Sequence, residues 1–173
     1  GKAALTIAVN DEVMTYGEAV PAFSAVFTGL VNGEAAGDFA TVVNLSSMAG
    51  TSPGSGTYAI EASLGNFDNY APTVQAGTLT VNKASLTITA DDQQMGAGST
   101  VPVLTLTYSG FVNGDDQSAI AAPFASVNAD ANSGIGVYPI TLTGGVVANY
   151  NLTLINGQLT IGKAILTITA DDK

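Results

Sequence analysis

The chain has no cysteine, no histidine, no tryptophan and no arginine, and its only cations are four lysines. Without cysteine there is no disulfide framework and no thiolate metal site. Without histidine the Ser-His-Asp and Cys-His systems are excluded, along with the usual zinc ligands and imidazole general acid–base chemistry. Four lysines stand against 14 carboxylates, a net charge of −10. Nucleic-acid binders neutralise phosphates with Lys and Arg, so no nucleic-acid partner is expected, and an anionic membrane surface would repel the chain. No apolar run approaches the ~18 residues of a membrane span, so membrane insertion is not expected either. The first residues hold neither a basic nor an apolar leader segment, which places any export signal outside this sequence.

What is present is repetition. Lys2-Ala-Ala-Leu-Thr-Ile returns as Lys83-Ala-Ser-Leu-Thr-Ile and again as Lys163-Ala-Ile-Leu-Thr-Ile, at offsets of 83 − 2 = 81 and 163 − 83 = 80. Residues 2–34 align with 83–115 at 14 of 33 identical positions, and 56–82 with 136–162 at 10 of 27. The reading is two tandem modules of ~80 residues, 1–82 and 83–162, with 163–173 opening a third as its first strand. Hydrophobic residues make up 46% of the chain and charged ones only 10%, enough to fill a core in each module.

Each module reads as short strands. Leu5, Ile7 and Val9 alternate with Thr6 and Ala8, as Leu86 and Ile88 do with Thr87 and Thr89, and period two with β-branched residues marks a half-buried strand. Phe23, Ala25 and Phe27, matched by Leu104, Leu106 and Tyr108, form the next. Gly29-Leu-Val-Asn-Gly33 and Gly110-Phe-Val-Asn-Gly114 supply turn chemistry, since Asn and Gly accept positive φ. Tyr58, Ile60 and Ala62 share one face of a later strand, as do Tyr138, Ile140 and Leu142. Asn156-Gly157 reads as a closing β-hairpin, with Ala76-Gly77 in its place in the first copy. Asp115–Ile120 is the best candidate for one short helix, the matching Glu34–Gly37 a poor one. Ala119–Phe124 reads as a core-covering loop.

Lys-Ala-x-Leu-Thr-Ile, Tyr16-Gly17 before Pro21, Gly-Leu-Val-Asn-Gly-Glu, a late Asn-Tyr and a closing Gly-x-Leu-Thr together resemble the MBG domains of bacterial surface proteins. The resemblance covers essentially the whole chain. It implies a mostly β fold, a β-grasp-like module with an Ig-like sandwich as the alternative. It also implies an extracellular or cell-surface, bacterial, adhesin-like setting without implying a ligand. Module two departs from the pattern: Ala97-Gly98 stands where Tyr16-Gly17 stands, so any space that the tyrosine fills must be filled differently.

The acids fall in pairs beside turns: Asp11-Glu12, Asp91-Asp92, Asp115-Asp116 and Asp171-Asp172. Two carboxylates across a cleft would be needed for glycosidase chemistry, and acids at strand ends are a solvated edge instead. Asp91 and Asp92 are the calcium candidates, although no EF-hand spacing is present and no cofactor is otherwise expected. Every lysine lies beside a module start, so a buried Lys–Asn isopeptide crosslink is not expected. The functional expectation is a non-catalytic tandem-repeat spacer or stalk, whose partners are neighbouring repeats of the same chain. The alternative is that the modules themselves bind a glycan or a host protein. Tyr58, Tyr70, Tyr138 and Tyr150 occupy repeated positions, which favours a core role for them over a dedicated site.

Overall fold

A computed structural model describes residues 1–168. The chain is mostly β and divides into two compact units, the first Gly1–Ala84 and the second starting at Ser85. The first carries β1 (Ala3–Val9), β2 (Glu12–Thr15), β3 (Ala25–Thr28), β4 (Val43–Ser47), β5 (Gly56–Leu64), β6 (Tyr70–Gln75) and β7 (Gly77–Asn82). The same set follows as β8 (Ala84–Ala90), β9 (Gln93–Gly96), β10 (Leu106–Ser109), β11 (Phe124–Val127), β12 (Gly136–Thr143), β13 (Tyr150–Ile155) and β14 (Gly157–Gly162). Each module holds a three-stranded and a four-stranded sheet, ordered β3-β1-β6 and β2-β7-β5-β4 in the first and β10-β8-β13 and β9-β14-β12-β11 in the second. Among the described residues no helix is long and apolar enough to cross a membrane.

The alternation along β1 buries Leu5, Ile7 and Val9 and turns Ala4, Thr6 and Ala8 to the other face. β1 pairs antiparallel with β3, from Thr6↔Thr28 to Val9↔Ala25, and parallel with β6, from Ala3↔Tyr70 to Ala8↔Gln75. After Asn10-Asp11 the chain resumes as β2, parallel to β7 from Glu12↔Leu79 to Thr15↔Asn82. The first and last segments of the module therefore run side by side, in one direction, through both sheets. In module two β9 and β14 repeat the second of these parallel ladders.

This arrangement overturns the hairpin expected at Asn156-Gly157. β13 and β14 lie in different sheets and do not pair with each other. The Asn-Gly step is where the chain changes sheet: Asn156 Oδ1 accepts from the Leu142 amide at 3.0 Å. A Cβ on Gly157 would lie 2.3 Å from the Ala90 carbonyl oxygen, and one on Gly77 2.5 Å from that of Asn10. Neither glycine has positive φ. Close approach of two backbones, not turn geometry, requires glycine here. The Asn-Gly pair that does adopt turn conformation is the other one. Asn32 and Gly33 have φ of 60° and 79°, and Asn113 and Gly114 of 59° and 79°. Positive φ at both central residues is the signature of a type I′ turn.

The core of module one gathers Leu5, Ile7, Phe67 and Tyr70, with Phe27, Leu30, Phe39 and Val42 packed against them. Phe39 stacks on Phe27 and Phe67 at 6.0 and 5.4 Å and meets Tyr70 edge-on at 5.7 Å. Each such side chain contributes about 1.5–3 kcal/mol by leaving water. Phe39 is delivered by a 3-10 turn at Ala36–Phe39, which overlaps only the end of Glu34–Gly37, the stretch read from sequence as a poor helix former. In module two a 3-10 turn spans Gln117–Ala119, inside the expected helix. The apolar loop after it buries Pro123 but leaves Phe124 70% exposed.

The expected first strand of a third module is not formed at residues 163–168, where Ile165, Leu166 and Ile168 are 94%, 84% and 85% exposed. The equivalent Leu5 and Ile7 of module one are buried against Phe67 and Tyr70. The remainder of that expected strand, with Asp171-Asp172, lies outside the described residues.

Candidate functional site

The calcium candidates sit where β8 gives way to β9. Asp91 accepts from the hydroxyls of Thr105 and Thr107, each at 2.6 Å. These two donors, Thr105 first, hold its carboxyl below the usual aspartate range. Asp92 Oδ1 accepts from the Gln158 amide at 2.8 Å, at the start of β14. The two neighbours thus point to different partners: Asp91 ties β8 to the segment leading into β10, and Asp92 ties it to the sheet change at Gly157. Module one does the same with a different residue. Asp11 Oδ1 accepts from the Thr78 amide at 2.8 Å, and Asn10, in the place of Asp91, donates to Ser24 Oγ at 2.8 Å. An amide thus stands in module one where a carboxylate stands in module two, and each is hydrogen-bonded to a hydroxyl of the following segment. Among the described residues no group of three or more acidic side chains is placed to hold a metal ion.

The acids of the Asn-Gly turns have another task. Tyr150 donates its hydroxyl proton to Asp115 Oδ2 at 2.6 Å and accepts from the Val112 amide at 3.2 Å. Tyr70 does the same with Glu34 and with the Val31 amide, the latter at 3.0 Å. Tyr70 and Tyr150 are 2% and 3% exposed, so each is a core side chain whose polar end clamps the turn. The Glu34 contact pushes the Tyr70 hydroxyl above the usual phenol value, with the Val31 amide working against it. Asp116 caps the 3-10 turn by accepting from the Ser118 hydroxyl and amide at 2.6 and 2.8 Å, and its carboxyl is held low by those bonds. Tyr58 and Tyr138 donate to the carbonyls of Gly54 and Gly134, both at 2.9 Å.

The sequence reading identified both halves of the tyrosine clamp, Val-Asn-Gly-acid and Asn-Tyr, but not their meeting. The signal available was their joint recurrence in both copies. It also missed an open cavity of about 650 Å³ between module two and the segment that follows it, lined by Gln94, Gly96, Thr160 and Gly162 on one side and by Lys163, Ala164 and Ile165 on the other. Asp11, Asp91, Asp92, Asp115 and Asp116 are brought together with backbone amides or hydroxyls of their own modules, and among the described residues no two of the pairs share a cleft.

The family model described as MBG domain (YGX type) matches the chain twice, over residues 5–80 and 86–160. No curated protein matches it. With most of both modules covered, the chain belongs to the MBG domain family.

Proposed function

We propose that this pair of MBG domains is a non-catalytic, force-bearing spacer in the stalk of a large bacterial extracellular or cell-surface protein of adhesin type. The observation that carries the reading is the strand order. The first two strands of module one are parallel neighbours of its last two, through six registered positions between β1 and β6 and four between β2 and β7. Pulling the two ends of such a module apart loads these ladders along their length, so the hydrogen bonds resist together instead of opening one by one. Neighbouring repeats of the same chain are the partners this role implies. The small share of charged residues, 10%, and the abundance of Thr, Ser, Asn and Gly suit a secreted chain. The acids and tyrosines that could have done chemistry are engaged in bracing their own modules, and in both copies alike.

Force spectroscopy on the chain tethered at its two ends tests this. The expected trace has two abrupt ruptures, each releasing about 28 nm of contour for a module of ~80 residues at ~3.5 Å each. Gradual extension without ruptures would refute the force-bearing role.

A further inference from the structure

Three Asn-Gly steps occur in the chain: Asn32-Gly33, Asn113-Gly114 and Asn156-Gly157. Asparagine before glycine is open to one covalent reaction in particular, attack of the glycine's backbone nitrogen on the asparagine side-chain carbonyl. A residue without Cβ hinders that approach least. The fold gives the three steps unequal surroundings. Asn32, Gly33, Asn113 and Gly114 are all exposed, and a Cβ on either glycine would meet nothing within 4 Å. Gly157 is buried, paired with Ile140 in the β12–β14 ladder and set against the Ala90 carbonyl. The Asn156 carboxamide is itself held by the Leu142 amide at 3.0 Å. The two exposed steps share a further feature. The Glu34 amide donates to the Val31 carbonyl at 3.2 Å, and the Asp115 amide to that of Val112 at 3.0 Å, closing each turn. A tyrosine hydroxyl then meets both residues that bracket the pair, Tyr70 at Val31 and Glu34, Tyr150 at Val112 and Asp115.

We propose that Asn32 and Asn113 are modification sites, deamidated spontaneously when their tyrosine clamp opens, and that the sheet change protects Asn156. A bond forms between the glycine nitrogen and the asparagine Cγ. The proton lost from that nitrogen passes through solvent to the side-chain nitrogen, which leaves as ammonia, and a five-membered succinimide remains. Water then adds to one of the two ring carbonyls. Opening at the side-chain carbonyl gives aspartate and opening at the backbone carbonyl gives isoaspartate, so one water is consumed and one ammonia released. In type I′ geometry the glycine nitrogen is turned away from Cγ, and the reaction waits for the turn to open. At Asn32 and Asn113 that opening is a local event at an exposed tip. At Asn156 it requires β14 to leave both β12 and Ala90. Isoaspartate routes the backbone through Cβ and Cγ, one atom longer than before, which a two-residue turn cannot absorb. Either product adds a carboxylate close to Glu34 or Asp115, the acids that hold the tyrosines. The product therefore weakens the clamp that slowed its formation. None of this depends on the spacer role.

Peptide mapping by mass spectrometry of the whole chain, incubated in warm, mildly alkaline buffer, tests the assignment. A gain of about 1 Da, mostly as isoaspartate, is expected at Asn32 and Asn113 at least ~10-fold faster than at Asn156. In denaturant the three sites should react within ~3-fold of one another, because only the fold separates them. Tyr70→Phe should speed the reaction at Asn32 by at least ~3-fold and leave Asn113 unchanged. Tyr150→Phe should do the reverse while Asn156 stays slow, which excludes unfolding of module two as the cause. Should Tyr70→Phe not fold, Glu34→Gln loosens the same clamp and carries the same expectation. Three results would each overturn the proposal. One is Asn156 reacting as fast as the turn sites in the folded chain. Another is no gain at Asn32 and Asn113 long after the denatured chain has reacted fully. The third is a pair of folded clamp variants whose rates match the parent's.

Discussion

The two modules hold their turns with the same clamp and fill their cores with different side chains. In module one Leu30 follows the β3 turn and Phe39 closes the 3-10 turn, where it meets Tyr70 edge-on at 5.7 Å. In module two the sizes are exchanged. Phe111 (111 − 30 = 81) meets Tyr150 edge-on at 5.8 Å and stacks on Tyr108 at 5.9 Å, while Ile120 (120 − 39 = 81) follows the 3-10 turn. One aromatic ring against the clamp tyrosine is kept, and the element that delivers it changes. Hydrogen-bond geometry is specified atom by atom, whereas a core accepts any arrangement that conserves volume and contact. The clamp, the sheet change and the positive-φ turns are therefore common to both copies, and the packing around them is free to differ.

The largest expected effect should be the same in both copies. Gly77→Ala and Gly157→Ala each drive a methyl group to within 2.5 and 2.3 Å of a backbone carbonyl, where no side chain can move aside. Each should destabilise its own module by about 3 kcal/mol, read by calorimetry or by loss of that module's amide peaks. If either variant melts as the parent does, the sheet change does not bring the backbones this close.

The aromatic exchange comes next and should separate the copies. Phe39→Ile alone removes a ring that touches Phe27, Phe67 and Tyr70, and should cost module one about 2–3 kcal/mol. Adding Leu30→Phe copies the module-two solution and should recover about 1 kcal/mol or more. A double-mutant cycle in denaturant measures the coupling. Strict additivity would mean that the two modules are not alternative packings of one core.

The clamp should respond to pH. The Tyr70 hydroxyl is held above its usual value by its bond to Glu34, so the folded state favours the protonated phenol. Its contribution is complete below the unfolded value near pH ~10 and is lost as pH rises through the folded one. Tyr70→Phe should lower the melting temperature of module one at neutral pH and flatten its alkaline decline, while Tyr150→Phe should weaken module two at neutral pH. Thermal melts across the alkaline range check this, and an unchanged alkaline limb in Tyr70→Phe would refute it.

Much of this was legible in the sequence because period-two alternation and repeated motifs are read directly along the chain. Leu5, Ile7, Ile60 and Ile140 were placed inside by alternation alone, and all four are 0–1% exposed. Mostly β content and two tandem ~80-residue modules followed from the repeat. Asn156-Gly157 misled because the same dipeptide serves a hairpin turn and a backbone crossing, and only the neighbouring strand at Ala90 distinguishes them. The clamp and the cavity were hidden for a like reason. Tyr70 and Glu34 are 36 residues apart, and the cavity is formed by residues 94–99 together with residues 160–165. Pairings at such distances depend on topology, which alternation does not reveal.

The smallest expected effect tests whether Asp91 acts as a brace or as a charge. Its carboxyl is held below the usual range by the Thr105 and Thr107 hydroxyls, so the ionised form is favoured in the folded state. That stabilisation is present above the unfolded value near pH ~4 and is lost as pH falls through the lower folded one. Module one has Asn10 at this place, hydrogen-bonded to Ser24, and has nothing to titrate there. Asp91→Asn should therefore leave the neutral-pH stability of module two nearly unchanged, because the site is solvent-exposed and an amide can hold one of the two threonines. What it should remove is a small part of module two's acid sensitivity. Melts from neutral pH down to about pH 2 would measure this. The same samples, melted in EDTA and in millimolar calcium, should give equal transition temperatures for parent and variant. A calcium-dependent rise in the parent that disappears in Asp91→Asn would make Asp91 a ligand, since an ion bound only to the folded state raises its melting temperature.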